Sequence, residues 1–175
     1  YLYFVGDLIN KWPKSLEVVE FVMNRPNTWS VIGNHELLSI PLKGDLSENF
    51  QSRLTSDKEF TLYYLEFPET AELARIFAEK WYDQWILSLP LIIERENFIL
   101  VHGWLHPDYG LDTPPEIATM IRLAHGKPWY ESYHRTKLII YGHWAANGLR
   151  ITPNTIWLDT ACCYGGFLTA YCLET

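Results

Sequence analysis

The chain predicts an α/β fold, and three observations predict it. Four short runs rich in β-branched and aromatic residues, Tyr1 to Val5, Thr28 to Ile32, Phe98 to Val101 and Leu138 to Tyr141, are too short for helices and read as buried strands. Between the first two lies a segment with helical spacing of apolar residues, which makes a strand, helix, strand unit. Each run then gives way to metal-type ligands: Gly6-Asp7, Gly33-Asn34-His35-Glu36, His102-Gly103 and Gly142-His143. In α/β sheets, functional groups gather just beyond the carboxyl ends of strands, where loops carry side chains into a shared crevice.

In chain order, Pro13-Lys14-Ser15 opens the helix, with Ser15 as N-cap and Leu16, Val19, Val22 and Met23 on its apolar face. Asn24-Arg25-Pro26-Asn27 breaks it before the second strand. From Leu37 to Leu89 no strand ends in a ligand, and Thr70 to Leu87 carries Leu73, Ile76, Phe77, Trp81 and Trp85 in a helix-like pattern. This stretch, about 37–89, reads as a helical insertion. Leu91 to Ile93 and Phe98 to Val101 flank the polar turn Glu94-Arg95-Glu96-Asn97 and predict a hairpin. Thr155 to Leu158 and Phe167 to Cys172, around Tyr164-Gly165-Gly166, predict a second hairpin that closes the sheet. With no repeat or flexible linker, residues 1–175 read as one domain.

Composition narrows the function. With 175 residues, 48% hydrophobic and 20% charged, the chain can build a core, which excludes disorder and a disulfide miniprotein. A net charge of -7 repels a nucleic acid duplex and anionic membranes. Cys162, Cys163 and Cys172 form no CxxC pair, so neither a disulfide framework nor a cysteine zinc site is expected, and they read as buried apolar residues of the last hairpin. No apolar run approaches about 18 residues and no leader pattern is visible, so a cytoplasmic setting is expected. The first residue is not Met and the chain opens inside a strand, so a preceding strand is expected to be missing.

Asp7, Asn34, His102 and His143 offer a carboxylate, an amide oxygen and two imidazoles. This mixed set suits Mn²⁺, Fe²⁺ or Zn²⁺ better than Ca²⁺. Cations held there would give an acidic protein the local positive charge to handle an anionic substrate, and hydrolysis of a phosphate ester or anhydride follows. Any one of these histidines alone would read as structural; strand-end placement and order favour the metal reading.

The segments GDLINKWPKS, SVIGNHE, ILVHGWLHP, IIYGHW and LDTACCYGGFLTAYCLE, in this order, resemble the phosphoprotein phosphatase branch of the calcineurin-like metallophosphoesterases, and within it bacterial symmetrical diadenosine tetraphosphatases. The resemblance implies a four-layer sandwich of two mixed sheets flanked by helices, with two divalent metals (Mn, Fe, Zn or Co) about a bridging Asp7. Asn34, His102 and His143 would complete the second metal site, and His35 would protonate the leaving oxygen. The family's first metal takes further ligands from a D-x-H-G motif, expected on a strand before residue 1, so only one site is complete in this sequence. Asn10 stands where an Asp would support His35, Lys11 where an Arg would bind phosphate, Trp12 where a Gly is usual, and Ala161 at another usual Gly. Asn stabilises a charged imidazole less than Asp does, and Lys lacks the bidentate fork of Arg.

The implied activity is symmetrical cleavage of dinucleoside tetraphosphates by a metal-bound hydroxide, with a dinucleoside polyphosphate or other phosphorylated compound as substrate. A serine/threonine or broad phosphomonoesterase and a degenerate, non-catalytic metal-binding relative are the alternatives. His106, His125 and His134 read as surface or supporting residues, and at most one or two of Arg122, Arg135 and Arg150 as substrate contacts.

Overall fold

The computed structural model describes residues 1–11, 13–39, 70–124, 126–133, 136–146 and 148–173. Trp12, His125, His134, Arg135 and residues 40–69 of the expected insertion lie outside them.

The first strand, β1 (Leu2–Phe4), leads to helix α1 (Ser15–Asn24) and returns to β2 (Thr28–Ser30), which pairs parallel with β1. Helix α2 (Asn34–Ser39) starts directly at the second ligand cluster. Two helices follow the undescribed segment, α3 (Thr70–Lys80) and α4 (Tyr82–Leu87). The single helical pattern expected there is broken at Trp81, which takes a left-handed φ of 63°. The break lets Phe77 and Ile86 both sink fully into the same core. Ser15 is not the N-cap of α1; Lys14 is, and the Ser15 hydroxyl instead accepts the Asn10 N–H at 3.0 Å.

The larger sheet contains β3 (Ile92–Glu94), β4 (Phe98–Val101), β7 (Leu138–Tyr141), β8 (Arg150–Ile151) and β9 (Thr155–Trp157) in the order β3-β4-β7-β9-β8. Its inner strands β4, β7 and β9 run parallel, while β3 and β8 lie antiparallel at the edges. Helix α5 (Pro115–Met120) and a two-stranded ribbon of β5 (Leu123–Ala124) and β6 (Lys127–Pro128) fill the crossover from β4 to β7.

Alternation along the strands separates the layers. Leu100, Ile140 and Ile156 meet Val31 and, at their margin, Tyr3, Val5 and Trp29, forming the core between the two sheets. Ile99, Val101, Ile139, Tyr141 and Trp157 point the other way, against Ala118 of α5 and Trp129 and Tyr133. Val19, Val22, Leu37, Phe77 and Ile86 cover the outer face of the small sheet. Helix, sheet, sheet, helix is the four-layer order expected from the resemblance. Only the larger sheet is mixed, however; the described strands of the smaller one are parallel.

The closing hairpin differs from expectation. The antiparallel partner of β9 is β8, reached through the turn at 152–154, and Phe167 to Cys172 forms no strand beyond an isolated bridge from Phe167 to Ala161. Accordingly the cysteines are not buried: Cys162 and Cys163 are partly exposed and Cys172 is exposed. No helix among the described residues is long and apolar enough to cross a membrane.

Candidate metal centre

The carboxyl ends of the parallel strands of both sheets come together. Asp7 follows β1, Asn34 follows β2, His102 follows β4 and His143 follows β7. Asp7, His102 and His143 each bring one ligand atom within 4.8 Å of the others. Asn34 Oδ1 joins them, 2.9 Å from His143 Nδ1 and 3.1 Å from His102 Nε2. His102 Nε2 also stands 3.2 Å from His143 Nδ1 and 3.3 Å from Asp7 Oδ1.

The outer nitrogens decide what the inner ones can do. His102 Nδ1 lies 2.5 Å from the Val5 carbonyl and His143 Nε2 lies 3.0 Å from the Met120 carbonyl. A carbonyl only accepts, so each outer nitrogen carries a proton, and in the neutral rings each inner nitrogen presents a lone pair. Two imidazole lone pairs, an amide oxygen and a carboxylate oxygen then face one another with no donor between them. A divalent cation relieves that repulsion, and the carbonyls that orient the rings complete the arrangement. The residues fit a metal.

Electrostatics agree. Burial would lower the His102 pKa, but the facing Asp7 carboxylate outweighs it and raises it. His143 is pushed down to about 3 by burial and by charge on His102. Burial would raise Asp7, yet His102, His35 and His143 together hold its carboxyl below the ordinary range. The same Asp7 carboxylate that favours a proton on His102 would favour a cation in its place.

The remaining expected residues surround this cluster. His35 is buried; its backbone N–H donates to Asp7 Oδ1 at 3.1 Å and its ring Nε2 stands 3.9 Å from Asp7 Oδ2. Asn10 donates from Nδ2 to Ser39 Oγ at 2.7 Å, and that hydroxyl donates to the His35 carbonyl at 2.6 Å. Asn10 is therefore tied to the main chain of His35 through Ser39. Lys11 Nζ donates to the Tyr164 hydroxyl at 2.8 Å and lies 4.9 Å from the centre of that ring. Burial lowers its pKa, but the Tyr164 hydroxyl outweighs this and raises it.

Sequence reasoning missed two neighbours, Asp159 and Tyr164, and left a third, Arg122, undecided among three arginines. Asp159, just beyond β9, repeats the pattern of a strand followed by a ligand-type residue, and burial raises its pKa. Tyr164 sits beside the Gly pair that marked the turn, and Arg122 lines the same cleft as Asp7, His35 and His143. Glu36, the fourth residue of GNHE, is fully buried. Four backbone N–H groups donate to it: those of Asp7 and Gly33 to Oε2 at 2.9 and 2.7 Å, and those of Leu8 and Ile9 to Oε1 at 2.6 and 3.3 Å. Burial and the neighbouring Asp7 carboxylate push its pKa up to about 7, against the pull of these donors.

Layered sandwich and strand-end ligand set together define a hydrolase of phosphoesters or phosphoanhydrides. The chain belongs to the calcineurin-like phosphoesterase family, whose model matches residues 1–167. Among curated relatives, the symmetrical bis(5'-nucleosyl)-tetraphosphatase of Dechloromonas aromatica (strain RCB) is 23% identical over 240 residues, covering 99% of this chain and 82% of that one. The asymmetrical bis(5'-nucleosyl)-tetraphosphatase PrpE of Geobacillus sp. (strain WCH70) is 30% identical over 185 residues, covering 96% and 73%. A solved crystal structure of a candidate diadenosine tetraphosphatase matches with a TM-score of 0.68 and 29% identity, over 94% of this chain and 72% of that chain.

Proposed function

We propose that this chain cleaves dinucleoside tetraphosphates symmetrically into two nucleoside diphosphates, at a divalent-metal site formed by Asp7, Asn34, His102 and His143, with manganese as the working ion. The observation that carries the reading is the convergence of those four ligand atoms, with both imidazoles oriented by backbone carbonyls. A divalent cation bound there supplies Lewis-acid charge to phosphoryl oxygens and lowers the pKa of water. The chain's own residues do the rest. Asp7 is the member expected to face a second cation. His35, beside Asp7 on the cleft wall, gives a proton to the leaving oxygen. Lys11, steadied by Tyr164, and Arg122 add the positive charge that a polyphosphate needs in a protein of net charge -7. A cytoplasmic location is part of the proposal.

The test is turnover of diadenosine tetraphosphate by metal-freed protein resupplied with Mn²⁺, with products separated by anion-exchange chromatography. ADP as the sole product supports the reading. ATP with AMP would support asymmetrical cleavage, the second reading, which the 30% identical relative favours. Turnover of an aryl phosphate alone would make the chain a phosphomonoesterase. His35→Ala is expected to lower kcat by about 10²- to 10⁴-fold while leaving manganese bound; loss of manganese together with activity would remove His35 from the proton-transfer role.

A further inference from the structure

We infer that Glu36 is a positioning residue of the metal site: its buried carboxylate clamps the Gly6–Ile9 and Gly33–Asn34 loops together and so fixes where the Asp7 and Asn34 ligand atoms stand. This rests on the reading of Asp7 and Asn34 as ligands.

Each Glu36 oxygen takes two backbone donors, three from the Asp7 loop and one from Gly33 on the other loop. None of these four N–H groups has a backbone acceptor among the bonds of the described residues. The loops are pressed into contact at the same place: a Cβ on Gly6 would stand 2.7 Å from Gly33 N and 2.9 Å from His102 Nδ1. Asp7 itself holds a left-handed φ of 55°, a conformation that a non-glycine residue keeps only when its surroundings over-determine it. The Glu36 bonds to the Asp7, Leu8 and Ile9 N–H groups hold it there. Glu36 starts no chemistry and lies behind Asp7, away from solvent, so its effect on a substrate passes through the ligands it orders.

The test is Mn²⁺ affinity, by calorimetry on metal-freed protein, for wild type, Glu36→Gln and Ile139→Val, a core variant on the far face of the larger sheet. Gln keeps the size but turns two donors against an amide N–H₂. The expected result is a loss of about 10- to 100-fold in affinity for Glu36→Gln and none for Ile139→Val, even where both melt lower. Glu36→Gln within twofold of a manganese-binding wild type overturns the inference and leaves the site reading standing. A wild type that binds no manganese overturns both. Should Glu36→Gln fail to fold, Glu36→Asp, which keeps the charge and withdraws both oxygens, carries the same comparison. Amide hydrogen exchange on the wild type adds a readout independent of any variant: Leu8 and Gly33 are expected to be protected despite lying in loops, and fast exchange at both overturns the clamp.

Discussion

Gly33→Ala tests the packing of the site most directly, because Gly33 does not take a left-handed φ and alanine is allowed there by its backbone. The consequence of the substitution is therefore steric. The new methyl would overlap Asp7 Oδ1 and stand 2.5 Å from Asp7 N and 2.9 Å from Glu36 Oε2, all inside ordinary contact. Relief requires the Asp7 loop to withdraw by roughly an ångström, since carbon contacts settle near 3.5 Å or beyond. Metal sites tolerate only about ±0.2 Å in ligand distance. Losing Asp7 as a ligand in this way should cost at least about 100-fold in Mn²⁺ affinity, or about 2.8 kcal/mol at about 1.4 kcal/mol per tenfold. Overpacking of this kind also costs about 1–3 kcal/mol of stability, which for a chain of this size lowers Tm by roughly 2–12 °C. Calorimetric titration with Mn²⁺ and a thermal melt on the same preparation separate the two effects. A variant that melts lower but binds manganese within twofold of wild type would refute the placement of Asp7 Oδ1 beside Gly33 as the determinant of the site.

Other consequences are smaller. Ala161 takes a φ of 61° at a position where the family pattern usually has Gly; Ala161→Gly should stabilise the fold by about 0.5–1 kcal/mol, the left-handed penalty of about 1–2 kcal/mol less the extra freedom of the unfolded chain, as read in a urea titration. Tyr164→Phe removes the hydroxyl that holds Lys11 but keeps the ring; a rise in KM for the tetraphosphate of about 2- to 5-fold at constant kcat is expected, and an unchanged KM would leave Lys11 outside substrate binding. Because Asp7 raises His102 above its ordinary 6.5, a proton competes with the metal through that value and beyond. Manganese affinity should therefore climb by about tenfold per pH unit below the raised pKa and level off only above it, whereas a flat profile from pH 6 to 8 would place the metal elsewhere.

How legible the fold was depends on what each element does with its backbone. The ranges of β4 and β7 agree with the expected strands because both are buried on their two faces, leaving continuous apolar runs that end abruptly in a ligand. The strands β1 and β2 are shorter than their apolar runs. Val5 gives its carbonyl to His102 Nδ1 rather than to a ladder, and Ile32 sends its N–H to the Pro90 carbonyl at 2.9 Å. Apolar composition marked these residues as buried, which they are in part or in full, but could not say where their hydrogen bonds go. Arg150 and Ile151 are both exposed, so β8 left no hydrophobic signal, while the alternation in Phe167 to Cys172 suggested a strand that finds no ladder among the described residues. The convergence of Asp7, Asn34, His102 and His143, the proposed ligands, was legible because each follows a readable strand. Glu36 was not, since its role appears only once two distant loops meet, whereas Asp159 follows a readable strand and was overlooked.

The backbone shows the cost of bringing them together. Among the described residues seven non-glycine residues hold a positive φ, and five of them, Asp7, Asn10, Lys11, His143 and Ala161, lie in the strand-end loops around the ligand cluster. At about 1–2 kcal/mol for Lys11, His143 and Ala161, and less for Asp7 and Asn10, whose residue types enter this region more readily, this strain is on the order of 3–6 kcal/mol, a sizeable share of the net stability of an ordinary domain. It persists because each of four strained loops is tied by a side chain: Glu36 holds Asp7, Ser15 and Ser39 hold Asn10, Tyr164 holds Lys11, and the Asp159 carboxylate accepts the Ala161 N–H at 3.2 Å. At His143 the tie is the Met120 carbonyl on one nitrogen, while the other nitrogen faces the Asn34 oxygen with no donor between them and is the one a cation would engage. Four of the five strained positions are therefore organised by the protein itself before any metal arrives. The fifth shares its restraint with the ligand set, which makes His143 the place where metal binding and folding are most directly coupled.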